Sequence, residues 1–367
     1  MGLVVHRCRP GDVARVLPRL MVAAVEALPI CFTRAEALAD GWSARRLDAA
    51  VLGGRLERIV PGLYADAAAW SGMPPWDRHL AIARTASRTT PDAIISHASA
   101  AALLGLPMPP HPPELATLTL LDDSRTSRED SWRRFHRGAT PPSHVWIRKG
   151  TPFLVPGRTV VDCLRDMRPG DALAVVDAAL RRGLVTSAGL AEMREHQRRW
   201  PGIAVADLLL ELADGRRESW LESVSAYVFA SWEAPPGVPQ VVVRDEYGRF
   251  VARVDVGWEG LGVVGEADGR GKYLLDAPPD AGQEEAAARK VVAQGVRESR
   301  LRDLGLEVLR WETADVLGGQ DALRQRWEAA LRRARPDVVT ARFECSCCAR
   351  PLTDCAFATR TDRFRGS

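Results

Sequence analysis

"ARVDVGWEGLGVVGEADGRGKY", residues 252–273, decides how the C-terminal part of the chain is read. Apolar and polar residues alternate from Ala252 to Trp258, and apolar residues resume from Leu261 to Gly265, which predicts two strands joined by a tight reversal. A two-residue turn at Glu259-Gly260 sets Trp258 against Leu261 and Asp255 against Val264, glycine tolerating the positive φ that such turns require. Side chains directly opposite one another share a face, and so do alternate positions on one strand. Asp255, Glu266 and Asp268 are therefore expected on one side of the sheet. A three-residue loop would send Asp255 to the other side.

Three carboxylates on one strand pair repel each other and lose hydration, a conflict that a divalent cation removes. Mg²⁺, or Mn²⁺ in its place, takes carboxylate oxygens and waters, polarises a phosphodiester and generates hydroxide for in-line attack. Lys272, four residues past Asp268, would give the scissile phosphate a positive charge; the chain has only three lysines, Lys149, Lys272 and Lys290, against forty-seven arginines. Upstream, "ESWLES" puts Glu218 and Glu222 four apart on one helical face, and Glu222, in the more continuous helical stretch, is favoured to complete the metal set. The alternative is structural: the acids cap turns and pair with Arg253 and Arg270, and the two glutamates are solvated.

Outward from this segment, residues 204–231 read as a helix broken near Asp214-Gly215. Strands "VPQVVVRD", "RFVARVDVGW" and "LGVVGEA" follow, with Tyr247-Gly248 turning the first pair. A helix from Gln283 to Leu304, the strand "LEVLRW" and a helix near 320–334 complete an αβββαβ order. Arg289, Lys290, Arg297, Arg300 and Arg302 on the long helix suit a phosphate backbone, or solvent.

At the other end, "CFTRAEALADGWSARRLDAAVLGGRLERIVPGLYA", residues 31–65, gives a helix, a turn, a second helix and a short hairpin, the order of a winged helix-turn-helix. Thr33 and Glu36 have capping-box spacing, Gly41 ends the first helix, Ser43 caps the second and Pro61-Gly62 turns the hairpin. Arg45 and Arg46 would reach bases or phosphates from the second helix, and Arg55 and Arg58 from the wing. A protein-binding module with solvated arginines is the alternative.

Between the two ends, helices near 76–88, 97–105, 159–166, 170–181 and 187–197 and strands near 115–121 and 144–148 predict a mixed α and β region. Trp132, Phe135 and Trp146 interleave with basic residues between Arg125 and Lys149, which suits a nucleic-acid backbone or a surface loop. His97, at a helix start, reads as a structural hydrogen-bonding residue. In "CSCCARPLTDC", Cys345 and Cys348 have C-x-x-C spacing without a second pair or a histidine, so a flexible tail with free thiols is expected and a zinc site is the alternative. Net charge is only +3, so nucleic-acid contact must come from local clusters. Seven cysteines, three of them (Cys8, Cys31 and Cys163) isolated in apolar contexts, and no long apolar run predict a cytoplasmic protein without a membrane span.

Residues 31–65, with "SHASAAALLGLPMP" and "VPGRTVVDCLRDMRPGDALAVVDAALRRGLVT", resemble the actinobacterial proteins related to AbiEi, the antitoxin and autoregulator of type IV toxin-antitoxin systems. That resemblance, over roughly residues 25–200, implies DNA binding and a nucleotidyltransferase-like toxin as partner. "ARVDVGW" and "VVGEADGRGKY" resemble the PD-(D/E)XK nucleases, particularly the branch of very-short-patch repair endonucleases, over about residues 205–335. It implies metal-binding and catalytic roles for Asp255, Glu266 and Glu222, with Asp268 standing where the usual motif has lysine and Lys272 further on. The expected architecture is a multidomain α+β and α/β chain: a winged helix-turn-helix with an N-terminal helix in 1–70, an AbiEi-like middle domain in 71–200, a restriction-endonuclease-like αβββαβ domain in 201–335 and a cysteine-containing tail in 336–367. The expected function is a DNA-binding, Mg²⁺-dependent nuclease, or a non-catalytic AbiEi-type regulator with a degenerate nuclease fold.

Overall fold

The computed structural model of the chain describes residues 6–7, 28–121, 128–269 and 281–355, with the backbone alone for 6–7 and 281–291. It is a mixed α/β architecture that divides into two compact units, residues 1–167 with 183–207, and residues 168–182 with 208–367. Among the described residues, no helix is long and apolar enough to cross a membrane.

The first unit opens with strands β1 (His6–Arg7) and β2 (Cys31–Thr33), helices α1 (Arg34–Ala39) and α2 (Ala44–Leu52), and strands β3 (Leu56–Val60) and β4 (Leu63–Asp66). Local chemistry sets these boundaries as expected. Thr33 and Glu36 close a reciprocal capping box on α1, Ser43 Oγ accepts from Arg46 N at the start of α2, and Gly41 and Gly62 take positive φ at the turns. Strands β2, β4 and β3 form a small antiparallel sheet, and Phe32, Ala37, Leu47, Ala50, Leu56 and Tyr64 bury its contact with the two helices.

Then come α3 (Pro75–Thr89), β5 (Ala93–Ile95), α4 (His97–Leu103), β6 (Ala116–Leu120), β7 (Arg128–Glu129), β8 (Arg133–Arg137), β9 (Val145–Arg148), β10 (Thr151–Leu154) and α5 (Pro156–Asp166). Helix α6 (Pro169–Arg181) belongs to the second unit, and α7 (Ser187–His196) returns to the first. The strands form a seven-stranded sheet in the order β1-β9-β10-β5-β6-β8-β7. One core joins Leu63, Ala65 and Trp70 with Ile95, Leu118, Phe135 and Phe153. The basic segment read as a nucleic-acid surface or a loop is instead partly core: Trp132 and Phe135 are buried, so neither ring can stack on a base.

Burial in this unit has a measurable consequence at His79. A carbonyl only accepts, so His79 Nδ1 donates to Pro113 O (3.2 Å) and the Ser99 hydroxyl donates to Nε2 (2.8 Å), which fixes the neutral tautomer. Burial pushes the imidazole down to about 4. The unfolded chain therefore binds this proton first as pH falls from about 6.5, and folding loses stability toward pH 4, on the order of 3 kcal/mol in full. Urea midpoints measured between pH 7 and 4.5 should fall in the parent, and fall less in His79→Gln.

The second unit contains α6, α8 (Trp220–Ser231), β11 (Val238–Arg244), β12 (Phe250–Trp258), β13 (Val263–Asp268), α9 (Ala281–Asp303), β14 (Glu307–Glu312), α10 (Gln320–Arg333) and β15 (Arg342–Cys345). The expected helix over 204–231 is two helices, Ile203–Leu212 and α8, broken around Asp214-Gly215. The sheet runs β14-β13-β12-β11-β15, with β13 and β14 parallel and the other pairs antiparallel. On one side Leu221, Val224 and Phe229 of α8 pack with Trp258, Val263, Trp311 and Trp327; on the other Leu301 packs with Val241, Val254, Val264 and Phe343. The tail expected to be flexible is, through Cys355, part of this fold: β15 pairs with β11 from Val241 to Arg244. Residues 356–367 lie outside the described residues.

Asp177, in α6, is the polar anchor of the unit. It is buried and accepts from Asp214 N (2.7 Å), Arg217 Nη1 (2.8 Å) and Ser223 Oγ (2.8 Å), so it ties α6 to the loop before α8 and to α8 itself.

Candidate functional site

The turn between β12 and β13 is longer than a two-residue reversal. Glu259–Leu261 form a 3-10 turn, and the residue with positive φ is Gly262 (+65°), not Gly260. Trp258 faces Val263 and Val256 faces Gly265. Relative to the expected pairing the register is displaced by two residues, which is the pleat period, so the relation between Asp255 and Glu266 survives the error. Continued one step, this register would set Asp255 opposite Glu266. The ladder stops first, and Asp255 Oδ2 accepts from Ala267 N at 2.8 Å, so the carboxylate sits where the strands fork.

The backbone is irregular here. Ala252 and Val254 join the core on the α9 side, whereas Val256 and Trp258 join the core on the α8 side, so the alternation of β12 changes face at Asp255. The β11–β12 register passes from Pro239–Val256 to Val241–Val254, which brings Gln240 to the level of Asp255, and Gln240 has a φ of +56°. Gly265 is required on β13 because a Cβ there would stand 2.7 Å from both Trp311 and Val256.

Glu222 reaches the fork from the first turn of α8. Its Oε2 accepts from Glu218 N (2.9 Å) and from Gln240 Nε2 (2.8 Å), and the same amide nitrogen lies 3.4 Å from Asp255 Oδ1. Glu218 points elsewhere, to a two-pronged pair with Arg253 at 2.9 Å. Burial pushes the Asp255 carboxyl up to about 6, and the charges of Glu222 and Glu266 add to the rise against the Ala267 N–H and the Gln240 amide.

Sequence reasoning missed Arg310. It lies beside Glu266 in the parallel β13–β14 register, donates to Glu266 Oε2 and reaches Asp268 Oδ2 at 3.2 Å, while Arg297 reaches Glu266 at 3.3 Å. An arginine inside an apolar strand opposite an acidic strand was the available signal. Two of the expected metal ligands thus share a guanidinium, whereas Asp255 is held by a backbone N–H and an amide. Asp255, Glu266, Asp268, Arg253, Arg297 and Arg310 line one open cleft of about 440 Å³. Lys272 lies outside the described residues, as do the side chains of Arg289 and Lys290.

For a divalent cation the fit lies at the fork. Gln240 is 2% exposed and its Oε1 has no hydrogen-bond partner, beside the Glu222 carboxylate and the Asp255 carboxyl, whose proton affinity burial and Glu222 raise. Turning the amide over would present Oε1 to a cation held by Asp255 and Glu222. The acids of the cleft are, however, not among the groups whose ligand atoms all lie within 4.8 Å of one another; among the described residues those are Cys345, Cys347, Cys348 and Cys355, and His97, His136 and Asp166. In the latter group the two imidazoles stack at 3.6 Å and burial lowers the proton affinity of both.

In the first unit, Arg45 and Arg46 are exposed on the first turn of α2, and the Arg46 guanidinium lies 4.0 Å over the Trp42 ring. Arg55 and Arg58 are exposed before and within β3.

No known family profile matches the chain. It is similar to two uncharacterized proteins of Mycobacterium tuberculosis, MT2308 of strain CDC 1551 / Oshkosh and Rv2248 of strain H37Rv, each 28% identical over 180 residues. The matched stretch is 49% of this chain and 62% of each relative, so the chain spans less than two thirds of the relatives' length.

Proposed function

We propose that this is a DNA-binding protein whose second unit hydrolyses phosphodiester bonds with Mg²⁺ or Mn²⁺, as the resemblance of residues 205–335 to PD-(D/E)XK nucleases implies. The observation that carries this reading is Asp255: a carboxylate at a strand fork, its proton affinity raised by burial and by Glu222 and Glu266, next to a buried amide oxygen without a partner. Bound there, a cation would polarise the phosphodiester and acidify a coordinated water. Asp255 and Glu222 would hold it, Glu266 lies on the next strand, and Asp268 marks the outer end of the acidic row. Arg253, Arg297 and Arg310 border the same cleft and suit the phosphates of a bound strand.

In this reading residues 31–65 are a winged helix-turn-helix, with α2 in the major groove and β3–β4 as the wing. Arg45→Ala/Arg46→Ala should weaken DNA binding, and the slope of log K against log salt should shallow by about one unit for each phosphate that is no longer neutralised. Fluorescence anisotropy across a salt series measures both, and an unchanged slope removes α2 from the interface.

A second reading is favoured by one observation, the pairing of Glu266 and Asp268 with Arg310 and of Glu266 with Arg297, two cations that balance these two acids without a metal. The chain would then be a non-catalytic regulator of the AbiEi type, with a nucleotidyltransferase-like toxin as partner. Purified protein incubated with plasmid and single-stranded DNA in Mg²⁺, Mn²⁺ or EDTA separates the two. Cleavage that requires the metal supports hydrolysis; intact DNA in every condition supports the regulator.

A further inference from the structure

The geometry points to a structural zinc site in the second unit, formed by Cys345, Cys347, Cys348 and Cys355. One sulfur from each lies within 4.8 Å of all the others. Cys347 Sγ is 2.8 Å from Cys345 Sγ and 3.7 Å from Cys355 Sγ, and none of the four is in a disulfide. Tetrahedral zinc with Zn–S bonds of about 2.3 Å sets its sulfurs roughly 3.8 Å apart, within the range this cluster spans.

The backbone is arranged for the cluster. Cys345 ends β15, and Cys345 N donates to Arg350 O while Ala349 N donates back to Cys345 O. Ala349 has a φ of +51°, the left-handed conformation that turns the chain back toward the strand, and a bridge pairs Glu344 with Pro351. Leu352 is buried in the same core as Cys345 and Cys355, which anchors the far end of the loop. Spacing alone hid the site: Cys345 and Cys348 look like half of a zinc motif, but the fold supplies the other half from the adjacent Cys347 and from Cys355 across the turn.

Hydrogen-bond donors face one sulfur of the cluster, Cys345 Sγ. Cys347 N lies 3.4 Å from Cys345 Sγ, and Arg216 Nη1 lies 3.6 Å from the same sulfur, with Arg216 itself oriented by Asp214 (Nη2 to Oδ2, 2.6 Å). N–H donors and a guanidinium around a ligand sulfur stabilise its ionised form and fix its direction. Four thiolates so close repel strongly without a cation, and Zn²⁺ removes that repulsion while pinning the segment after β15 to the sheet. Cys347 and Cys348 are exposed and close the outer side of the site; Cys345 and Cys355 are buried.

The test is elemental analysis of the full-length protein purified without added metal or chelator, with thiol titration and non-reducing mass spectrometry on the same sample. About one zinc per chain is expected. Cys347→Ser and Cys348→Ser, chosen because these side chains lie outside the core, should each lower it at least tenfold with the circular dichroism unchanged, while Asp255→Asn retains it. Loading the stripped protein with Co²⁺ should give the thiolate charge-transfer and strong visible bands of a tetrahedral sulfur site. Four reactive thiols with no bound metal, iron in place of zinc, or disulfides among these cysteines would each overturn the assignment, as would full zinc content in both serine variants.

Discussion

Asp255→Asn is expected to abolish metal-dependent cleavage and, in the same molecule, to stabilise the metal-free protein. The first effect follows from the proposed hydrolysis: a metal contributes several kcal/mol to the transition state, so weakening its principal ligand should lower the rate by about 10²–10³-fold or more. DNA affinity carried by the first unit should be unchanged. The second effect needs no substrate. The folded carboxyl titrates at about 6, whereas an unfolded aspartate titrates near 3.9, about two units lower. A raised folded value means that stability is full at low pH and is lost as pH rises through 6, where the ionised group faces Glu222 and Glu266. Asparagine keeps the acceptor for Ala267 N and carries no charge, so metal-free Asp255→Asn should exceed the parent by about 1–2 kcal/mol above pH 6 and by little near pH 4. Denaturation in EDTA at the two pH values measures this difference, and Mg²⁺ should narrow it by stabilising only the parent. Equal stability at both pH values would remove the electrostatic conflict on which the cation site rests.

Asp177→Ala should produce the largest loss of stability in the second unit. The substitution removes three hydrogen bonds at once and leaves the Arg217 guanidinium, 9% exposed, facing a cavity with Leu212 O, 3.1 Å from Nη1, as its acceptor. Breaking a buried pair from one side typically costs about 3–5 kcal/mol, a large share of the roughly 5–15 kcal/mol that holds a domain folded. The double variant Asp177→Ala/Arg217→Met, which deletes both charges, should recover more than half of the loss. Urea unfolding followed by tryptophan fluorescence reads both variants, since Trp258, Trp311 and Trp327 lie in this unit's core. A loss below about 1 kcal/mol for the single variant would mean that α6 is held by packing alone.

The order of two short helices and a hairpin in residues 31–65 was legible because its information is local. Thr33, Glu36, Ser43, Gly41 and Gly62 each act within four residues, and a linear reading reaches that far. The αβββαβ order of the second unit was legible from periodicity, and Asp255, Glu222 and Glu266 do converge on one region. The turn after Trp258 was misjudged because two glycines, Gly260 and Gly262, were available and only the packing of the next strand selects between them. The acids converge all the same because the displacement is even. Arg310 and Gln240 escaped notice because their importance arises from neighbours more than ten residues away, and the same holds for Asp177. Trp132 and Phe135 show the opposite failure: a basic, aromatic composition suggested a surface, while both rings join the buried core of the first unit.

The pairing of β15 along β11 bears on any shortened version of this protein. From Val241 to Arg244 the outer edge of β11 is satisfied by a strand that arrives almost at the end of the described chain. Trimming the apparent tail at residue 335 would uncover a row of unsatisfied amides and carbonyls flanked by valines, the kind of template on which other chains add as extra strands. Such a truncation would trade a protected border for a sticky one, and its failure in solution would be a matter of aggregation rather than of lost catalysis.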